Sequence, residues 1–207
     1  MNRGKRAASK AAQILEGAKQ AFYESGYDGA SVDDIAAAAG VSKATIYKHF
    51  ADKKALFAAM TREECETHGG HVFEVELKEE DVREALLKIA RSYVNLILSD
   101  FAQSTFRLVV SETRQFPDIG RVFHDSAMGK GSQRLAHFLA GAVARGILDI
   151  DDIDLAAQQF LELCKADLFY KHLLGVKTEI SKAEREHVVA KAVEVFWKAY
   201  AADQDGT

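Results

Sequence analysis

Residues 31–50 read SVDDIAAAAGVSKATIYKHF, and this stretch decides the fold. Ser31 has the chemistry of a helix N-cap: its hydroxyl can accept from a backbone N–H that has no partner inside the helix. Asp34, three residues on, makes a variant of the capping box. A short helix then runs to Ala39. Gly40 makes the turn, because a tight corner between helices tolerates a residue without a Cβ. Ser42 caps a second short helix, from Lys43 to Phe50. Val32, Ile35, Ala36, Val41, Ile46 and Phe50 are spaced to form a small core. That leaves Lys43, Ala44, Thr45, Tyr47, Lys48 and His49 outside. Cations, hydroxyls and an imidazole on one helical face can contact phosphate oxygens and base edges in a major groove. The N–H groups at both capped helix starts can also receive a phosphate. Two short helices joined by a glycine turn have the helix-turn-helix shape.

The chain on either side is helical too. Upstream, residues 9–25 place Ile14, Ala18 and Phe22 on one face, with Gly26 as the cap and Tyr27 folding back on the core. Before them lies a basic arm with Arg3, Lys5, Arg6 and Lys10. Downstream, Asp52 caps a fourth helix carrying Leu56, Phe57 and Met60, which ends near Gly69 and Gly70. Longer helices are predicted over about residues 80–99, 101–115, 117–146 (with a break near Gly129 and Gly131), 153–174 and 181–202. No stretch alternates apolar and polar residues as a strand would. The predicted fold is all-α. A three-helix helix-turn-helix domain for DNA occupies residues 1–55. A helical bundle for dimerisation and ligand binding occupies residues 56–207. Short linkers predict antiparallel neighbours.

Composition fits this plan. Hydrophobic residues make up 48% of the 207, and the single proline, Pro117, leaves long helices unbroken. Cys65 and Cys164 are too few for a disulfide framework, so both read as reduced thiols. The absence of a signal-like stretch or an apolar span of membrane length predicts a cytoplasmic protein with no membrane partner. Residues 1–60 carry nine Lys/Arg and six Asp/Glu, whereas the remainder carries eighteen and twenty-five. A basic head on an acidic body suits a head that meets phosphate. No phosphate loop, nucleophile elbow or paired carboxylates point to an enzyme, and no cofactor is implied.

Residues 26–60, GYDGASVDDIAAAAGVSKATIYKHFADKKALFAAM, resemble the N-terminal domain of the TetR family of bacterial regulators. The resemblance implies that Ser31 touches phosphate at the start of the second helix. It places Lys43, Thr45, Tyr47, Lys48 and His49 on the recognition helix that Ser42 caps, with Tyr47 and His49 on the DNA backbone. It also implies that Lys53 holds a phosphate from the start of the fourth helix, and that the arm enters a minor groove. Later stretches, FRLVVSETRQFPDIGRVFHDSAM, LAHFLAGAVARGIL and DLAAQQFLELC, look like the C-terminal domain of AefR-like members. That domain is a dimerisation module, often with a small-molecule cavity.

Apolar spacing in the last two helices supports a dimer on its own terms. Val189, Val193, Phe196 and Tyr200 form one stripe; Ile153, Ala157, Phe160, Cys164 and Leu168 form another. The interface is expected at Phe160, Cys164, Val189, Val193, Phe196 and Tyr200; the alternative is that the stripes pack within one chain. A cavity for an unknown small-molecule effector is expected near Tyr93, Ile97, Phe106, Arg107, Phe123, Met128, Phe138 and Phe169, residues that would serve equally as plain core. Lys165 and Asp167 are either pocket groups or a surface ion pair. Cys65, His68 and His71, beside Glu64, have a spacing that could bind zinc, but Gly69 and Gly70 should break the helix between the histidines, so no metal is assigned. The function expected is a homodimeric repressor of a near-palindromic operator, released by its effector. The alternatives are a ligand-independent regulator or activator, or a helical sensor without specific DNA binding.

Overall fold

The structure is a computed structural model that describes residues 9–69 and 81–202. Among these residues the chain is all-α, as expected, with no strand beyond one isolated bridge between Leu148 and Ala201. The helices are α1 (Lys10–Gly29), α2 (Val32–Ala39), α3 (Lys43–His49), α4 (Lys53–Gly69), α5 (Val82–Ile97), α6 (Asp100–Thr113), α7 (Pro117–Phe123), α8 (Gly129–Ala144), α9 (Ile153–Lys165), α10 (Leu168–Leu173) and α11 (Lys182–Tyr200). No helix among the described residues is long and apolar enough to cross a membrane.

The caps expected at Ser31, Ser42 and Asp52 are present, and Asp81, Asp152 and Ser181 cap later helices in the same way: each side chain accepts a backbone N–H of the first turn. Three interiors differ from expectation. Gly26 sits inside α1 at φ 74°, so the helix kinks there and resumes for one short turn to Gly29. The predicted 117–146 helix is divided by a π-helical turn at His124–Met128, and Gly129 and Gly131 continue as helix instead of breaking it. The predicted 153–174 helix is broken between α9 and α10. Asp167 takes a φ of 65° there, a conformation that costs a residue with a Cβ and that no local pattern announces.

The chain forms two compact units. One comprises the described residues up to Glu64 together with Ser104–Ser126; the other comprises those of Cys65–Gln103 and Ala127–Thr207. The first is built on Ile14, Phe22, Ile35, Ile46, Leu56, Phe57 and Met60, all buried, with Leu108, Val109 and Ile119 added from α6 and α7. The Tyr27 ring is central: it stacks on Phe22 at 5.6 Å and meets Phe57 and Phe116 edge-on at 5.4 and 5.2 Å. Glu112 accepts from the Tyr27 N–H at 3.1 Å, and Tyr23 and Thr105 share a hydroxyl hydrogen bond of 2.6 Å.

In the second unit α5 packs on α11 and α9, and α9 packs on α8 and α11. Phe160 and Phe196 meet edge-on at 5.0 Å. Lys165 and Asp167 take separate partners. The ammonium of Lys165, almost buried, lies 2.5 Å from Glu162 and faces the Phe169 ring at 5.7 Å; Asp167 pairs with Lys171 at 2.5 Å. They are not an ion pair with one another.

Candidate nucleic-acid interface

The reader is assembled from local capping and one close helix contact. At the start of α2, Ser31 accepts from the Asp34 N–H at 3.1 Å. The Asp34 carboxylate accepts from the Ser31 N–H at 3.0 Å and from its hydroxyl at 2.6 Å. These hydrogen bonds hold the Asp34 carboxyl below its ordinary pKa. α2 ends on Gly40, at φ 62° and ψ 37°, and the Val41 N–H turns back to the Ala36 carbonyl at 3.0 Å. Gln13 of α1 donates to the Ala39 carbonyl at 2.7 Å, which satisfies another open acceptor at the same helix end.

Gly17 sets the distance between α1 and α2. A Cβ at Gly17 would lie 2.6 Å from the Ala39 nitrogen, so only glycine permits this approach. The sequence reading did not single out Gln13 or Gly17. A glycine in mid-helix is a detectable signal of close packing, but its neighbour is set by tertiary structure.

α3 begins at Ser42, whose hydroxyl accepts from the Thr45 N–H at 3.1 Å and bonds the Thr45 hydroxyl at 2.8 Å. Ile46 is buried and holds the helix to the core, while Lys43, Ala44, Tyr47, Lys48 and His49 are exposed. Tyr47 is 49% exposed, high for a large aromatic ring. Thr45 is half-buried, tied to its cap rather than fully presented. Lys43 reaches across the turn to Asp33 of α2 at 2.9 Å, and this hydrogen bond raises the lysine pKa.

Lys53 faces the protein. Its ammonium donates to the carbonyls of Tyr27, Ala30 and Asp28 at 2.8, 3.1 and 3.3 Å and sits 4.6 Å from the centroid of the Tyr27 ring. It thereby closes the C-terminal end of α1, where carbonyls have lost their helical partners. Its neighbour Lys54 is exposed and paired with Asp118. The arm residues Arg3, Lys5 and Arg6 lie outside the described residues. So do His71 and the side chains of Cys65 and His68; Glu64, which is described, pairs with Lys19 at 3.0 Å. No group of metal ligands occurs among the described residues.

The residues expected at the effector cavity are distributed over the two units. Phe106, Arg107 and Phe123 belong to the first unit, where the two phenyl rings meet at 6.2 Å. Tyr93, Ile97, Met128, Phe138 and Phe169 belong to the second. There Ile97, Phe138 and Phe169 are core, Met128 is 42% exposed, and burial pushes the Tyr93 hydroxyl well above its ordinary pKa.

The expected dimer stripe needs correcting. Phe160, Cys164, Val189, Val193 and Phe196 are sealed inside the second unit of their own chain, and burial pushes the Cys164 thiol up to about 12. Tyr200, only half-buried, tilts its ring at 51° to that of Phe196 with centroids 4.8 Å apart and donates to Gln159 at 2.6 Å. On the same two helices, the large apolar side chains facing out are Leu155 and Val195, 48% and 51% exposed.

Comparison with known proteins agrees with the geometry. The model described as bacterial regulatory proteins, tetR family, matches residues 14–60. The model of the AefR-like transcriptional repressor C-terminal domain matches residues 84–202. The chain is similar to the HTH-type transcriptional repressor Rv1474c of Mycobacterium tuberculosis, 48% identical over 59 residues. That match spans 28% of this chain and about a third of the relative (32%). The chain is also similar to the probable HTH-type transcriptional regulator ArpR of Pseudomonas putida, 30% identical over 70% of this chain and 72% of that protein. Among solved structures, the flavonoid-responsive regulator FrrA superposes with a TM-score of 0.83 at 34% identity, covering 94% of this chain and 98% of its own. With both halves matched in order and the helix-turn-helix built as described, the chain belongs to the tetR family of bacterial regulatory proteins, with an AefR-like C-terminal domain.

Proposed function

We propose that this protein is a DNA-binding transcriptional repressor that grips a near-palindromic operator as a homodimer and releases it when a small molecule binds. The observation that carries the reading is the outer face of α3. Lys43, Tyr47, Lys48 and His49 stand exposed on a helix that Ser42 and Ile46 hold firmly from beneath. Such a helix inserts its N-terminal residues into the major groove, and the capped start of α2 at Ser31 meets the backbone beside it. Lys43, Lys48 and His49 supply cationic or hydrogen-bonding contacts, and Tyr47 an aromatic hydroxyl. Lys53 contributes by fixing the junction of α1 and α4.

A two-fold operator follows from two copies of one reader. Leu155 and Val195 favour a partner over α9 and α11, since large apolar side chains are otherwise costly at a surface. Ligand response is supported by the similarity to FrrA, named as flavonoid-responsive. An effector lowers DNA affinity by binding better to a dimer whose readers are wrongly spaced.

The test is fluorescence anisotropy on labelled DNA from directly upstream of the protein's own gene, titrated at several salt concentrations with excess competitor DNA, then repeated with a panel of flavonoids. Binding that survives competitor, weakens with salt and changes sequence preference when Lys43 or Thr45 is replaced supports the reading. Equal, weak binding to every genomic fragment would overturn it.

A further inference from the structure

Within the second unit, a cleft of about 390 Å3 opens between α5 and the start of α11. Its volume falls in the range of about 300–1,000 Å3 typical of small-molecule sites. Arg91, Lys182 and Arg185 line it with one carboxylate, Glu186, and with Val94, Ile180 and Val189. Three cations face one anion, so the wall keeps a positive balance.

The hydrogen bonds inside the wall show where that balance is concentrated. Arg91 donates through Nε to both oxygens of Glu186, at 2.9 and 3.2 Å, which answers the only carboxylate of the lining. Arg185 donates through Nη1 to Asn95 Oδ1 at 3.1 Å. That bond orients the guanidinium and leaves its Nε behind. The Arg185 Nε is buried and has no hydrogen-bond partner among the described residues. An arginine never gives up its proton, so this is a permanent donor, on a cation, withdrawn from water. Buried donors of this kind are rare and expensive unless an acceptor arrives. The N-terminus of α11 is not that acceptor's partner: Ser181 and Glu184 already cap it.

We infer that this cleft binds a small organic carboxylate. The carboxylate accepts from the Arg185 guanidinium and lies within the field of Lys182, while its apolar body rests on Val94, Ile180 and Val189. The fork of a guanidinium matches the two oxygens of a carboxylate, and the aliphatic wall selects a carboxylate with a tail over a bare inorganic anion. The site lies wholly within one unit, uses none of the residues expected at the effector cavity, and is independent of the DNA-binding reading.

The experiment is a 1H–15N NMR titration of the full chain with sodium hexanoate at constant ionic strength, following the side-chain Nε–Hε resonance of Arg185, which is identified by its disappearance in Arg185→Gln. Saturable movement of that resonance is expected, with affinity falling about tenfold in Arg185→Gln as reported by backbone amides of α5 and α11. Lys182→Ala, at an exposed position that does not threaten folding, should weaken binding several-fold. An unmoved resonance would mean that no carboxylate reaches the nitrogen and would overturn the inference. Inorganic phosphate binding as tightly as hexanoate would overturn it too, because the apolar wall would then select nothing.

Discussion

The ammonium of Lys53 donates to the carbonyl of Tyr27 at 2.8 Å and lies 4.6 Å from the centroid of the same residue's ring. One lysine thus ties the first residue of α4 to the end of α1, using both the polar and the aromatic part of a single partner. Replacing Lys53 by Met removes these contacts and the bonds to Asp28 and Ala30. The expected cost is about 1–3 kcal/mol in urea unfolding, in line with hydrogen bonds from a charged donor. The salt slope of DNA binding should stay unchanged. A slope flattened by about one with full stability would place the ammonium on a phosphate instead.

Asp33 of α2 and Lys43 of α3 form an ion pair at 2.9 Å. Asp33→Asn frees the lysine and removes an anion beside the face proposed to meet DNA. Binding to non-specific DNA should tighten, and its salt dependence should steepen by up to about one unit of slope. Unchanged affinity and slope would show that Lys43 does not reach phosphate.

Gly17→Ala tests the closeness of α1 and α2. The added methyl meets backbone and Cβ atoms of Ala39 within 2.8 Å, none of them the end of a flexible side chain. Overpacking of this type costs about 1–3 kcal/mol. Chemical denaturation should show the loss, and DNA affinity should fall with it as α2 tilts away. A variant as stable as the parent would mean that the two helices separate freely.

The capping box of α11 is expected to be acid-sensitive. Hydrogen bonds from Lys177 and Ser181 hold the Glu184 carboxyl down at about 2, against an ordinary value of 4.5. A carboxylate depressed in the folded chain stabilises it above the unfolded value, and the contribution is lost as pH falls through the folded one. The stability gap between the parent and Glu184→Gln should therefore be full at pH 7 and shrink between about pH 4.5 and 2. A gap that is constant over that window would rule out the carboxylate as its source.

Neighbouring valines of α11 should behave in opposite ways. Val193 is 1% exposed and Val195 is 51% exposed. Val193→Glu buries an unpaired charge and should unfold the second unit. Val195→Glu should leave the helix content intact in circular dichroism and convert a dimer to monomers in sedimentation velocity. A Val195→Glu variant that remains dimeric would move the interface off this face.

The capped helix starts and the helix-turn-helix were legible in the sequence because they rest on contacts three or four residues long. Ser31, Ser42, Asp52 and Ser181 each cap the turn that follows them, and Gly40 takes the left-handed conformation its position demanded. The outward set on α3 followed from period alone, since Ile46 must face in. Tertiary structure decided what each face meets. Periodicity marked Phe160 and Phe196 as an apolar stripe, but a stripe is equally satisfied by its own chain or by a partner, and here the two rings cover one another. The same limit applied to Lys53, whose charge suits a phosphate or a helix end, and to Asp167, whose positive φ no neighbouring residue announces. Local hydrogen bonding is written in neighbouring residues; the choice between partners of equal chemistry depends on which surfaces the folded chain brings together.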